Sequence, residues 1–175
     1  YFYLGQNHQL NAEGDAEGGT EMPIIHLPDW ETLPYDSFSP HEDIISERLA
    51  ALSQLADVSR GVLILPVQTL AHRLPPKSHL DGQRFVLKTG DRFNPIDERR
   101  RLERAGYHAV ETVHEHGEFA VRGAIIDVFP MGSTEPLRIE LFDDEIESLR
   151  AFDPNTQRTI TKVDQVTLLP AREIP

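Results

Sequence analysis

Residues 118–154 read EFAVRGAIIDVFPMGSTEPLRIELFDDEIESLRAFDP. The stretch predicts consecutive strands. Residues 119–122 lead into an apolar run over 124–129, and Pro130-Met131-Gly132-Ser133 then breaks the chain, as Pro and Gly do at turns. Residues 137–142, LRIELF, alternate apolar and polar, the period of a half-buried strand. Leu137, Ile139 and Leu141 face one way, and Arg138, Glu140 and Phe142 the other. A Phe among charges on an open face is either covered by another part of the chain or offered to a partner.

Working outward, residues 144–152 predict a further strand with imperfect alternation, Asp153-Pro154-Asn155 a turn, and residues 163–169 a last strand. Upstream, residues 84–88 begin a strand that Gly90 turns. Asn94 and Pro95 cap and open a helix that ends before Gly106. Its apolar positions are Ile96, Leu102 and Ala105, and its surface carries Arg99, Arg100, Arg101 and Arg104. Residues 107–113 predict a strand and residues 114–117 a turn. The second half is therefore α+β, one helix against an antiparallel sheet.

The first half reads strand, helix, strand. MPIIHL (22–27) predicts a buried strand. Ser39, Pro40 and Glu42 form a capping box that starts a helix running to about Leu55. Its buried stripe is Ile44, Ile45, Leu49, Leu52 and Leu55. GVLILPV (61–67) is continuously apolar, as in a parallel strand covered on both faces. Residues 69–74 predict one helical turn. We expect a partial α/β layer over residues 1–83 and an α+β domain over 84–175, divided near Leu74-Pro75-Pro76-Lys77-Ser78. Residues 28–40 predict a loop pinned by Trp30, Tyr35 and Phe38. Residues 1–4 are apolar enough for a strand, and residues 11–21 have the acidic, Gly-rich composition of a flexible loop.

With 175 residues there is room for one ordinary domain or two small ones. The net charge of −12 repels nucleic acid and anionic membrane at long range. It is uneven: the first 50 residues hold one base, Arg48, against ten acids, whereas the chain from Arg84 onward is mixed. There is no Cys, which excludes disulfides and thiolate chemistry. No run is long enough to predict a membrane span. The chain does not open on Met, and we expect a piece of a longer polypeptide.

Four constellations of side chains stand out. Asp143-Asp144-Glu145, with Glu140 and Glu147, has the chemistry for Mg²⁺, but a solvated turn is the better reading. His114 and His116 alternate as metal ligands do, in a segment that reads as a turn. The arginines of residues 99–104 could meet phosphate, but Asp97, Glu98 and Glu103 stand at self-pairing distance on the same helix. No glycine-rich phosphate loop and no nucleophile elbow occurs, so no catalytic, cofactor-binding or metal residue is predicted. The fourth is a surface: Arg122, Arg138 and Phe142 are residue types that dominate interface hot spots. Residue type alone leaves this open against cross-sheet pairing of both arginines with Glu118, Glu140 or Asp143.

VRGAIIDVFP (121–130), followed by RIELFDDEIESLRAFDP (138–154), resembles the module shared by UvrB and the transcription-repair coupling factors. DWETLPYDSFSPHEDIISERL (29–49) resembles the coupling factors in particular. With GVLILPVQTL (61–70) and LLPAREIP (168–175), the likeness runs from about residue 24 to the end. It implies a degenerate, helicase-like α/β layer followed by a UvrB domain 2-like unit that docks onto UvrA. Arg122, Arg138 and Phe142 fall on the partner-contacting positions. The resemblance further implies a cytoplasmic, ATP- and Mg-dependent DNA translocase as the parent chain. RNA polymerase and DNA would meet other parts of it, and no cofactor would bind here.

Overall fold

A computed structural model describes residues 22–32 and 41–173. The expected opening strand, the Gly-rich loop, Tyr35, Phe38 and the Ser39-Pro40 pair lie outside the described residues.

Strands β1 (Ile24–His26) and β2 (Val62–Ile64) pair in parallel, with helix α1 (Glu42–Asp57) between them in sequence. The helix begins later than its capping box predicts. His41 is the N-cap, and its Nδ1 accepts from the Asp43 amide at 3.3 Å. An imidazole nitrogen thus does what the Ser39 hydroxyl was expected to do. Leu49 and Leu52 are buried, and Ile45 and Leu55 pack partly against the same core.

The strands are less covered than their composition predicts. Ile25 is buried, but Ile24, Val62, Leu63 and Ile64 are exposed, as are Val67 and Leu70 in the following 3-10 turn (Val67–Ala71). An apolar run becomes a doubly buried strand only where layers pack on both of its faces. Among the described residues α1 is the helix set against this pair, by its contact with β1.

Helix α2 (Lys77–Gln83) begins at the end of the stretch expected to divide the two halves. KSHLDGQ has no apolar period and carries a helix-weakening Gly, so nothing local announces it. Burial of Leu80 anchors it.

Strand β3 (Phe85–Lys88) pairs antiparallel with β10 (Gln165–Leu168). Helix α3 (Pro95–Arg104) follows, and the Asn94 side chain accepts from the Ile96 amide at 3.0 Å. Past its end, Gly106 takes φ +95°, the left-handed region that favours glycine. Leu102 and Ala105 are buried, but Ile96 is exposed, against expectation, because it sits in the first turn, away from the buried end of the helix.

A six-stranded sheet then runs in the order β4 (His108–Ala109), β5 (Glu118–Arg122), β6 (Ile125–Val128), β7 (Leu137–Phe142), β8 (Glu145–Phe152) and β9 (Thr159–Val163). The β4–β5 pair is parallel and the others antiparallel. Strand β4 is shorter than predicted because residues 110–113 leave the ladder to cover the outer face. There Val110 and Val113 pack with Ala120, Phe129 and Phe152 in a small second core. Strand β9 has mostly exposed residues and no burial period, which hides it from a pattern search.

The inner face of the sheet carries Ile126, Ile139, Ile146 and Leu149. They share one core with Leu27, Leu49 and Leu52 of the first half and with Leu102 of α3. Polar ties cross the same seam. The Ser46 hydroxyl accepts from the Gly132 amide at 2.8 Å. His116 lies on the Phe129 ring and reaches Asp43 at 2.7 Å and the Ser133 carbonyl at 2.8 Å. Arg48, fully buried, donates to both oxygens of Glu173, each at 2.8 Å, and to the Pro28 carbonyl. The Trp30 indole also donates to Glu173, at 2.9 Å.

Candidate functional site: the outer face of the sheet

Alternation sets the face. Ile126, Ile139 and Leu149 point into the core, so their neighbours Asp127, Arg138 and Arg150 point out. Register aligns them: Ala120 pairs with Asp127, Asp127 with Arg138, Arg138 with Arg150 and Arg150 with Lys162. The next row holds Arg122, Ile125, Glu140 and Ser148.

Asp127 is the centre of this face. Its carboxylate is 0% exposed and receives both arginines named from the sequence. Arg138 donates from Nε to Oδ1 at 2.7 Å and from Nη2 to Oδ2 at 3.0 Å, the two-pronged arrangement of the strongest carboxylate pairs. Its Nη1 donates to the Gln157 carbonyl at 3.3 Å, and its guanidinium stands 4.8 Å from the Phe152 ring centre. Arg122 Nη2 also donates to Asp127 Oδ2. The Asp127 hydrogen bonds raise the Arg138 pKa above its ordinary value, so this guanidinium is charged at any working pH.

The group is thus one buried negative charge under two positive ones. The Arg122 side chain is 47% exposed and that of Arg138 is 16% exposed. Arg122 is open to solvent, whereas Arg138 is mostly covered. Beside them, Glu140 accepts from the Ser148 hydroxyl and lies 3.4 Å from Arg150 Nε. Phe142, 70% exposed, ends β7 before a turn in which Asp143 takes φ +54°. Ile125 adds a partly exposed apolar side chain between Arg122 and Glu140.

Arg122 and Arg138 are brought together as the sequence expects. Phe142 stands further along the same outward face, past the Arg122–Glu140 row. The expected alternative partners of the arginines, Glu118, Glu140 and Asp143, are not the ones used. Glu118 instead accepts from the His114 and Glu115 amides at 2.8 and 2.9 Å. Asp127 went unread because alternation says only that it faces outward. The available signal was a lone acid in an apolar strand, flanked by strands that each offer an Arg. Both arginines satisfy a buried charge and so are more than plain surface residues.

The other constellations resolve as follows. Asp143 and Asp144 form the β7–β8 turn, and the Asp144 carbonyl accepts from the Phe93 amide at 2.7 Å. Among the described residues no three His, Asp or Glu side chains gather as metal ligands do. On α3, Arg99 pairs with Glu103 at 3.0 Å and Arg101 lies 3.6 Å from Glu98. Partial burial raises the Glu98 carboxyl above its usual range, against the pull of Arg101.

The chain is 54% identical over 156 residues to the transcription-repair-coupling factor of Escherichia coli K12, covering 89% of this chain and 14% of that one. It is 40% identical over 152 residues to the Myxococcus xanthus protein of that name, covering 86% and 13%. To the Bacillus subtilis 168 one it is 32% identical over 154 residues, covering 88% and 13%. The chain thus spans 13 to 14% of the length of these relatives. The UvrB interaction domain profile matches residues 85–174, which takes in both arginines, Asp127, Phe142 and the whole six-stranded sheet, and the chain belongs to that family.

Proposed function

We propose that this chain is a non-catalytic adaptor that docks onto UvrA through the outer face of its sheet. It would thereby link stalled transcription to nucleotide excision repair. The observation that carries the reading is the pair of guanidiniums fixed on buried Asp127, with Phe142 exposed on the same face. A fixed Arg loses less rotamer freedom on binding than a mobile one, and its remaining N–H groups suit a carboxylate or a backbone carbonyl. Phe142 supplies apolar area beside them. Membership of the UvrB interaction domain family and the likeness to transcription-repair-coupling factors support the partner and the pathway. In this reading the parent chain is a cytoplasmic, ATP- and Mg-dependent translocase that meets RNA polymerase and DNA elsewhere. No helix among the described residues is long and apolar enough to cross a membrane.

The test is capture of purified UvrA by the 175-residue chain, alongside Arg122→Ala and Phe142→Ala. Each should weaken binding roughly 30- to 1000-fold, the span of about 2–4 kcal/mol typical of hot spots. Full affinity in both folded variants overturns the assignment. A nucleotide-dependent rise in melting temperature would favour a degenerate motor fragment instead.

A further inference from the structure

Helix α3 carries a second set of arginines, away from the sheet's outer face. It contacts β4 and β5 and sends Leu102 into the main core with the inner-face residues Ile126 and Ile139. Ile96, Arg100 and Arg104, spaced four apart, share an outward stripe and are all exposed. Arg99 is occupied by Glu103 at 3.0 Å. Arg101 meets Glu98 only at 3.6 Å, longer than a hydrogen bond. Its guanidinium carbon instead lies 3.7 Å from the centre of the Phe85 ring, a cation–π contact. Arg100 and Arg104 have no ion-pair partner among the described residues.

Arg101, Arg104, Phe85, Ala105, Gly82 and Gln83 line a cavity of about 200 Å³. At the same end of the helix, Arg172 crosses Gly106 so closely that a Cβ there would stand 2.7 Å from its Cγ. The helix C-terminus favours cations in its last turn, which helps to hold these side chains together.

We infer that this pocket takes an acidic side chain from a segment of a protein partner, its carboxylate held between Arg101 and Arg104. Stacking on Phe85 fixes the plane of the Arg101 guanidinium; its Nη1 faces Glu98 at 3.6 Å, and its other N–H groups are left for an incoming carboxylate. The cavity is smaller than the roughly 300–1,000 Å³ of drug-sized ligand sites and suits one side chain. Exposed Ile96 extends the contact along the helix with an apolar residue, which an acidic peptide segment can match. Duplex DNA fits less well. One carboxylate needs only the Arg101–Arg104 pair, whereas a row of phosphates along the helix would also meet Asp97, Glu98 and Glu103, interspersed with the arginines. This inference does not depend on UvrA docking, since it concerns another face.

The experiment uses the 175-residue chain at physiological ionic strength, where long-range repulsion is screened. The probes are a fluorescein-labelled hexaglutamate peptide and a labelled DNA duplex, each followed by fluorescence anisotropy. The peptide should bind, and Arg101→Ala and Arg104→Ala should each weaken it by about tenfold or more. Arg99→Ala, whose guanidinium is already paired, and Arg60→Ala, exposed just before β2, should change it less than about twofold. An equal loss from all four variants would mean a diffuse field and overturns the site. So does absence of peptide binding, or duplex binding that exceeds it.

Discussion

Among the described residues, two carboxylate–guanidinium clusters are built on a fully buried charge, and they differ in access to water. Arg48 and Glu173 are both shut in, with side chains 0% and 6% exposed, and they join α1 to the end of the chain. Asp127 is as deeply buried as Arg48, yet its partners Arg122 and Arg138 reach the surface. Both ends of the first cluster are spent on the fold. In the second, the buried acid anchors Arg138, whose Nε, Nη1 and Nη2 all have acceptors, and Arg122, which is 47% exposed and keeps N–H groups for another surface. An Arg is therefore classified less by its ion pair than by how much of its fork the pair leaves exposed.

The largest effect on stability should come from Glu173→Ala. It strands a fully buried guanidinium and removes the acceptor of the Trp30 indole. Breaking a buried pair from one side costs on the order of 3–5 kcal/mol. Urea unfolding followed by fluorescence of Trp30, the chain's one tryptophan, measures it. The double change Arg48→Met with Glu173→Leu should recover much of the loss, because the uncompensated charge is gone. A cost below about 1 kcal/mol for Glu173→Ala would erase the contrast between the clusters.

Asp127→Asn comes next. Arg122 and Arg138 can turn to water, so the cost should be smaller, about 1.5–3 kcal/mol, the worth of hydrogen bonds to charged groups. Capture of UvrA should weaken too, although Asp127 is buried beneath its arginines. Normal capture by the folded variant would show that the arginines need no anchor. Phe142→Ala should do the reverse: stability within about 0.5 kcal/mol of the parent, as at plain surface sites, with most of the binding lost.

These residues were unequally legible. Leu137, Ile139 and Leu141 were read correctly because burial of one sheet face forces a period of two. Asn94, Pro95 and Gly106 were read because caps are local chemistry. Arg48 and Asp127 were not recognised as buried, since what covers them comes from distant parts of the chain. Glu173 is 125 residues from Arg48, and the lid over Ala120 is built from Val110 and Val113. Strand β2 was recognised as a strand but not as an exposed one, for composition records chemical preference and not which layers are packed on it. Arg122, Arg138 and Phe142 owe their place among the candidates to residue type and to the family resemblance, whereas the acid beneath the arginines required the sheet register.

The series ends with a carboxylate held by backbone amides. Asp153, at the turn between β8 and β9, accepts from the Asn155 amide at 2.7 Å and the Thr156 amide at 3.2 Å. These backbone bonds, that of Asn155 first, hold its pKa below the ordinary 3.8. A carboxylate with a depressed folded-state pKa stabilises the fold above its unfolded value, and that contribution is lost as pH falls through the folded value. Asp153→Ala should therefore unfold at lower urea than the parent near neutral pH, by less than either buried-acid variant. The gap should close as pH drops below 3.8. Urea midpoints measured across that window decide it: a gap independent of pH would mean that the side chain acts by shaping the turn and not through its charge.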